Sequence, residues 1–526
     1  MSVRERAGTH HTRTLTPHSA TANAPVDASR TPRRRPSVAR VEWFAAGDYT
    51  IAREILQRGV AAVFVLAFVA VLRQFPALLG SGGLLPVPRY LARLERVTRR
   101  SRVLTLFWWR YSDALLRTVG WVGLLLALSL VVGLPQAGPW WVPLVAFLLL
   151  YVLYLSIVEV GQTFYAFGWE TLLLEAGFIV AFLGSDDVAP PVLVLLAARW
   201  LVFRVEFGAG LIKMRGDPAW RDLTALYYHH ETQPMPGPLS WHAHHAPRWW
   251  HRVEVAGNHV TQLGIVWLLF APQPVASIAA GVIVLTQAWL VVTGNFAWLN
   301  ALTMVLAASA ISDSSWRWLL PFLPEPADDG VASGANIGFG VVVAAFFVLT
   351  VVLSYWPVRN LLSQRQLMNA SFNRFRLGNT YGAFGSITRR RREVVVAGTL
   401  AAEPTEDDWR EYGFRGKPGE VRRRPPQVAP YHLRLDWLMW FLALGGRDEA
   451  WFVAFLRRLL EADPATLRLL RHDPFDGVAP RFVRARVYRY RYTTRAERRV
   501  SGDTWVRVSA GVLVPPVALG DLPPTP

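Results

Sequence analysis

Long apolar runs lie at about 59–79, 115–134, 140–160, 189–212, 260–292, 296–311 and 336–356. A helix rises 1.5 Å per residue, so about 20 such residues cross the hydrocarbon of a bilayer. The run 260–292 is long enough for two crossings broken near Pro272 and Pro274, and 171–184 suits a short or re-entrant one. The pattern predicts about eight spans. Beyond Tyr355 no run is long enough to cross. There, 392–400, 482–492 and 504–512 alternate or carry β-branched and aromatic residues and predict strands, whereas 435–444 and 449–460 predict helices. The expected architecture is a polytopic α-helical membrane bundle followed by a soluble, strand-rich α+β domain. Its boundaries are a disordered basic tail at 1–40, a transmembrane region at 41–356 with a polar loop at 213–252, and a C-terminal domain at 357–526.

Composition sharpens this picture. Hydrophobic residues make up 52% of the 526, and 23 are Trp, a residue that anchors span ends at the lipid–water interface. The net charge of +18 lies mostly outside the apolar runs, which directs it to lipid headgroups and to topology. The basic runs 389–392 and 422–424 lack the motifs of a nucleic-acid fold, and no nucleic-acid partner is expected. With no Cys, disulfides, thiolate catalysis and Cys-ligated metals are excluded. The segment 1–40 has no apolar core of a signal peptide. An amphipathic lead-in with Trp43, Phe44 and Tyr49 is expected at 41–57, and the arginines of 89–102 predict a surface helix. Basic residues are nearly all Arg, as in a GC-rich bacterial genome; the two lysines, Lys213 and Lys417, mark places that want a compact ammonium.

Candidate chemistry gathers in two places. Arg199, Glu206 and Lys213 are spaced by seven and share one face of a span, with Glu159, Glu170 and Glu175 as partners on neighbouring segments. Charges at such depth face the bundle interior, and an ion-pair network is favoured over a functional site. The following loop carries Trp220, Arg221, Asp222, His229, His230, Glu231 and Gln233, and seven of the twelve histidines lie in 229–259. HExxH spacing is absent, so interfacial histidines are favoured over a metal site, and no metal or cofactor is expected. Acid–base work by His229, His230 or Glu231 stays open, without a nucleophile motif beside it. Asn379-Thr-Tyr-Gly-Ala-Phe-Gly385 reads as a turn entering a strand, and Tyr488-Arg-Tyr-Arg-Tyr492 as an edge strand with one aromatic face.

Several of these stretches together resemble the lipase maturation factor family. They are Gly168-Trp-Glu-Thr-Leu-Leu-Leu-Glu-Ala-Gly177, Arg199-Trp-Leu-Val-Phe-Arg204, Gly208-Ala-Gly-Leu-Ile-Lys213, the segment 216–225, His230-Glu-Thr-Gln-Pro234 and Thr293-Gly-Asn295. In the C-terminal part, 379–385, Val428-Ala-Pro-Tyr-His432, Arg434-Leu-Asp-Trp437 and Asp473-Pro-Phe475 follow in the right order. The resemblance implies a membrane-embedded factor, not an enzyme, that helps secreted lipases fold; animal members work in the endoplasmic reticulum. In a bacterium the expected location is the cell membrane. The implied partners are the bilayer and a lipase-like exported client, engaged by the C-terminal domain. Its candidate residues are Asn379, Tyr381, Phe384, Lys417, Pro430, Arg434, Asp436 and Trp437. More distantly, 208–213 followed by Trp220 is similar to the membrane domain of vitamin K-dependent carboxylases. That likeness implies an enzyme using Lys213 and the 229–231 cluster. A transporter would show repeat symmetry, and no repeat is evident.

Overall fold

The first apolar run becomes α1 (Thr50–Leu79), a 30-residue helix apolar on nearly all sides. Its first turn is capped from afar, the Asp313 carboxylate accepting from the backbone N–H of Thr50 (2.8 Å) and Ile51 (2.9 Å). This computed structural model describes residues 44–322, 337–445 and 450–523. The expected basic tail at 1–40 and Trp43 lie outside them. The expected surface lead-in is instead the buried start of the bundle: Phe44 packs edge-on against Phe339 at 6.2 Å, and Arg53 donates to the Val188 carbonyl at 2.7 Å. Apolar contacts and a guanidinium bonded to the carbonyls of Ser185 and Val188 draw this segment inward.

Arg89, Arg93 and Arg96 are exposed on α2 (Val87–Val97), which buries Val87 and Leu91, as the surface-helix reading requires. Ser112 caps α3 (Asp113–Val131), accepting from Leu115 N at 3.1 Å. At Gly123 a Cβ would stand 2.3 Å from the Phe68 ring, so glycine sets the close approach of α3 to α1. Next come α4 (Trp141–Val160), α5 (Gly168–Val180) and α6 (Val192–Arg215). The polar loop folds into short helices, α7 (Pro218–Arg221), α8 (Leu226–Thr232) and α9 (Ser240–His244), and the longer α10 (Arg248–His259). The run 260–292 is broken: irregular helical turns over 260–270 end at Pro272 and Pro274, and α11 (Val275–Thr293) follows. The helical region closes with α12 (Leu299–Ala307), α13 (Asp313–Leu319), α14 (Ile337–Leu353) and α15 (Tyr355–Leu362). Among the described residues, five stretches are long and apolar enough to cross a membrane: 47–79, 113–131, 141–160, 275–293 and 337–362.

The C-terminal region is built on four antiparallel strands in the order β2-β1-β3-β4. These are β1 (Arg391–Thr399), β2 (Arg410–Glu411), β3 (Phe482–Tyr492) and β4 (Trp505–Val517). The helices α16 (Arg434–Ala443), α17 (Ala450–Leu460), α18 (Pro464–Leu467) and α19 (Arg495–Ser501) accompany them. Two expectations are corrected. The Tyr488–Tyr492 stretch belongs to a central strand, paired with β1 on one side and β4 on the other, because Tyr490 and Tyr492 bury against Trp505. The 379–385 stretch does not lead straight into a strand; it runs irregularly along α6, and β1 starts six residues later, at Arg391. One continuous core links Phe64 and Phe68 of α1 with Tyr381, Val394 and Trp437, and residues Val41–Pro526 form one compact unit.

Candidate functional site: a buried polar seam

The charges of α6 do not pair directly with one another. Lys213 donates from Nζ to Asn258 Oδ1 (2.7 Å) and Gln262 Oε1 (2.9 Å), and lies 4.8 Å over the Trp220 ring. Gln262 donates onward to Glu206 Oε2 (3.0 Å), Gln287 donates to Glu206 Oε1 (2.5 Å), and Asn300 donates to Gln287 Oε1 (2.6 Å). The result is a buried relay, Lys213–Gln262–Glu206–Gln287–Asn300, in which amides separate the two charges and satisfy both. Arg199 takes another direction, donating to the Ser309 carbonyl at 3.0 Å, with its guanidinium over the Tyr49 ring.

Two further clusters tie the helical region to the C-terminal one. Arg204 pairs with Glu175 and donates to the Asn379 carbonyl at 2.8 Å. The same Glu175 carboxylate accepts from Asn379 Nδ2 (3.0 Å) and the Tyr381 hydroxyl (2.9 Å). Glycines make this contact possible, since a Cβ at Gly208 would stand 2.5 Å from the Tyr381 carbonyl, and one at Gly216 2.0 Å from that of Gly385. In the second cluster Arg434, at the start of α16, donates to Glu170 Oε1 (2.6 Å) and the Phe164 carbonyl (2.8 Å). Tyr154 also bonds Glu170, and Gln74 of α1 donates to the His432 carbonyl at 2.6 Å. Burial and the neighbouring Arg434 push the His432 imidazole down to about 4, so it is neutral where it packs against Trp169, Trp298 and Trp437. Of the expected acidic partners, Glu175 serves α6 through Arg204, Glu170 serves Arg434, and Glu159 bonds Arg376 at 2.7 Å.

The loop after α6 is clamped by the sheet. Arg391 of β1 donates to the carbonyls of Glu231 (2.8 Å), Gln233 (2.6 Å) and Pro234 (3.1 Å), while its guanidinium also engages Glu393 at 2.5 Å. Lys417 completes that buried trio, its ammonium 3.0 Å from Glu393 Oε2 and donating to the carbonyls of Val394 and Pro418. Asp436 accepts from the backbone N–H of Gly416 (2.6 Å) and Lys417 (3.0 Å); burial pushes its carboxyl up against the pull of these donors. Glu231 Oε2 accepts from Tyr492 N at 2.8 Å, and Gln233 donates to Ser240 Oγ (3.0 Å) and the Thr293 carbonyl (2.8 Å).

The predicted residues thus separate into groups. Trp220 donates to the Phe384 carbonyl at 2.7 Å, and Phe384 lies edge-on to His229 with centroids 4.8 Å apart. Burial, with His230 and Lys213 adding, pushes His229 down to about 3. Lys213 makes no hydrogen bond to His229 or His230 among the described residues. Arg221, Asp222 and Pro430 are exposed, and Arg221 donates to the Met214 carbonyl at 3.0 Å. Both lysines are buried. Missed from the sequence were Arg391, Glu393, Gln74, Gln262, Gln287, Asn258 and Asn300. For Gln74, Gln262 and Gln287 a signal was present, a large amide within or beside an apolar run.

Comparison with known proteins follows the same two regions. The family model for the lipase maturation factor transmembrane domain matches residues 51–318, and that for the lipase maturation factor C-terminal domain matches residues 377–515. Lipase maturation factor 1 of Bos taurus is 38% identical over 91% of this chain and 91% of its own. That of Homo sapiens is 37% identical over 91% and 90%. Lipase maturation factor 2 of Homo sapiens is 29% identical over 89% of this chain and 83% of its own. No solved structure matches. With both regions matched in order, and relatives similar over nearly their whole length, the chain belongs to the lipase maturation factor family.

Proposed function

We propose that this chain is a membrane-embedded maturation factor that assists the folding or assembly of an exported client of the secreted-lipase class. The observation that carries the reading is the end-to-end similarity to relatives named lipase maturation factors. On this reading α5, α6 and α12 join the five long apolar helices in a bundle of about eight crossings. The internal satisfaction of the α6 charges supports that placement. On this reading Arg391 and Arg434 hold the C-terminal region on the helical one, Arg199, Glu206 and Lys213 brace the bundle from within, Lys417 braces β1, and none of them does chemistry of its own.

The surface offered to a client is β4. It ends the sheet, pairs with β3 on one side, and exposes Val508, Val512 and Leu513. An open edge with apolar side chains suits an extended segment of an unfinished protein, which adds as a further strand. Exported clients fold outside the cytoplasm, so the reading puts the sheet on the outer face of the cell membrane. The enzyme alternative wants Lys213 beside the 229–231 cluster as a working pair, whereas the ammonium is spent on two side-chain amides.

The test is genetic. Removing the chain from its host lowers the activity of secreted lipase without lowering its transcript, and the full-length chain restores it. Unchanged secreted activity defeats the proposal, as does an epitope after Pro526 that only cytoplasmic protease can reach.

A further inference from the structure

Three ligating side chains meet between α8 and α10 and take no part in the clamp on the sheet. His230 comes from α8, and His251 and Glu254, three apart, share a face of α10. One ligand atom from each lies within 4.8 Å of the others, and His230 Nε2 stands 3.8 Å from Glu254 Oε2. Ligand atoms on one tetrahedral zinc, each bonded at about 2.0–2.1 Å, stand roughly 3.4 Å apart, so small side-chain rotations close the set.

What their ring and carboxylate atoms bond to points the same way. His230 is 2% exposed, and among the described residues neither of its ring nitrogens has a hydrogen-bond partner. Buried imidazoles ordinarily satisfy at least one nitrogen, because an unmet polar group costs about 1–3 kcal/mol. The other two ligands are held in place with one atom left over. His251 Nε2 faces the His244 carbonyl at 3.3 Å, which makes it the donor and leaves the Nδ1 lone pair without a partner. Trp289 donates to Glu254 Oε1 at 2.5 Å, leaving Oε2 without one. A carbonyl behind a histidine and a donor behind a carboxylate are the supports that orient metal ligands.

We propose that His230, His251 and Glu254 bind one divalent transition-metal ion, zinc by the chemistry of two imidazoles and a carboxylate. Calcium and magnesium take all-oxygen shells and are not suited to it. Solvent completes the coordination from the side of Glu254, the least buried of the three. The spacing escaped the HExxH pattern because the ligands come from two helices joined through α9. The ion staples α8 to α10, and so fixes the loop that Arg391 grips.

The experiment uses the full-length chain purified in detergent through a tag without histidines. Metal content is read by plasma mass spectrometry after dialysis against micromolar zinc, and the chelator-stripped protein is titrated with cobalt(II). The expected result is about one equivalent of zinc and the visible absorption of four-coordinate cobalt. His251→Ala and the near-isosteric Glu254→Gln lose that equivalent. Trp289→Phe, which removes only a supporting hydrogen bond, weakens affinity by about 10–100-fold. His242→Ala, at an exposed histidine of the same loop, binds as the parent does. Less than about a tenth of an equivalent in the parent overturns the proposal, as does undiminished zinc in a well-folded Glu254→Gln protein. If His251→Ala aggregates, Glu254→Gln and Trp289→Phe decide the matter.

Discussion

Arg434 and Glu170, 264 residues apart in the chain, meet at 2.6 Å with both side chains fully buried. The guanidinium lies 3.4 Å over the Tyr165 ring, and the Phe164 carbonyl takes a further share of the same Nη1. Two charges removed from water this completely owe their place to each other, which leads to the first expectation.

Removing either partner alone strands the other. Arg434→Met and Glu170→Leu each destabilise the protein by about 3–5 kcal/mol, while the double change Arg434→Met/Glu170→Leu recovers a large part of the summed loss. Unfolding in detergent, followed by Trp fluorescence, measures all three. Single effects that simply add would mean that the pair is not coupled.

Lysine at position 417 is a matter of shape as well as charge. Its ammonium meets Glu393 and two carbonyls inside a closed space, and Arg391 already occupies the other carboxylate oxygen. Lys417→Arg conserves charge yet forces a planar fork into that space, lowering stability by about 1–3 kcal/mol. A melting temperature equal to the parent's would refute this.

Gly216→Ala places a methyl group 2.0 Å from the Gly385 carbonyl, a backbone atom that cannot rotate away. The expected outcome is a parted seam, seen as faster proteolysis near 385 and a lower melting temperature. Gly257→Ala is the counter-case, since a Cβ there meets nothing within 4 Å and Gly257 lies within α10. That change leaves the fold intact and stabilises it by about 0.4–1 kcal/mol.

His432 links the seam to pH. Its folded value of about 4 lies below the ordinary 6.5, so the unfolded chain binds the extra proton first. Stability is therefore full above pH 6.5, declines as the pH falls below it, and has lost this contribution once pH 4 is passed. His432→Asn flattens that part of the pH–melting curve. A curve of unchanged slope between those limits would show that other groups govern the acid limb.

Local patterns in the sequence reached the elements but not their partners. Alternation located β3 at 482–492, and the scarcity of lysine marked two residues that are buried. Periodicity could not tell that β3 is central, because a strand's neighbours lie far along the chain: Arg391 of β1 pairs with Tyr490. The same distance hid the partners of Glu170 and Glu175. The metal ligands escaped for a related reason, since His230 and His251 come together only through the fold of the short helices between them.

The seam also imposes an order on biosynthesis. At about 5–20 residues per second, Glu170 is made tens of seconds before Arg434 leaves the ribosome. Arg204 and Glu175 likewise precede Asn379 and Tyr381, the groups that complete their cluster. Until then the early helices carry carboxylates whose partner sets are incomplete: Glu170 lacks Arg434, and Glu175 lacks Asn379 and Tyr381. The nascent chain must therefore keep water or a helper beside them, so a factor that attends the folding of others begins as a demanding client itself.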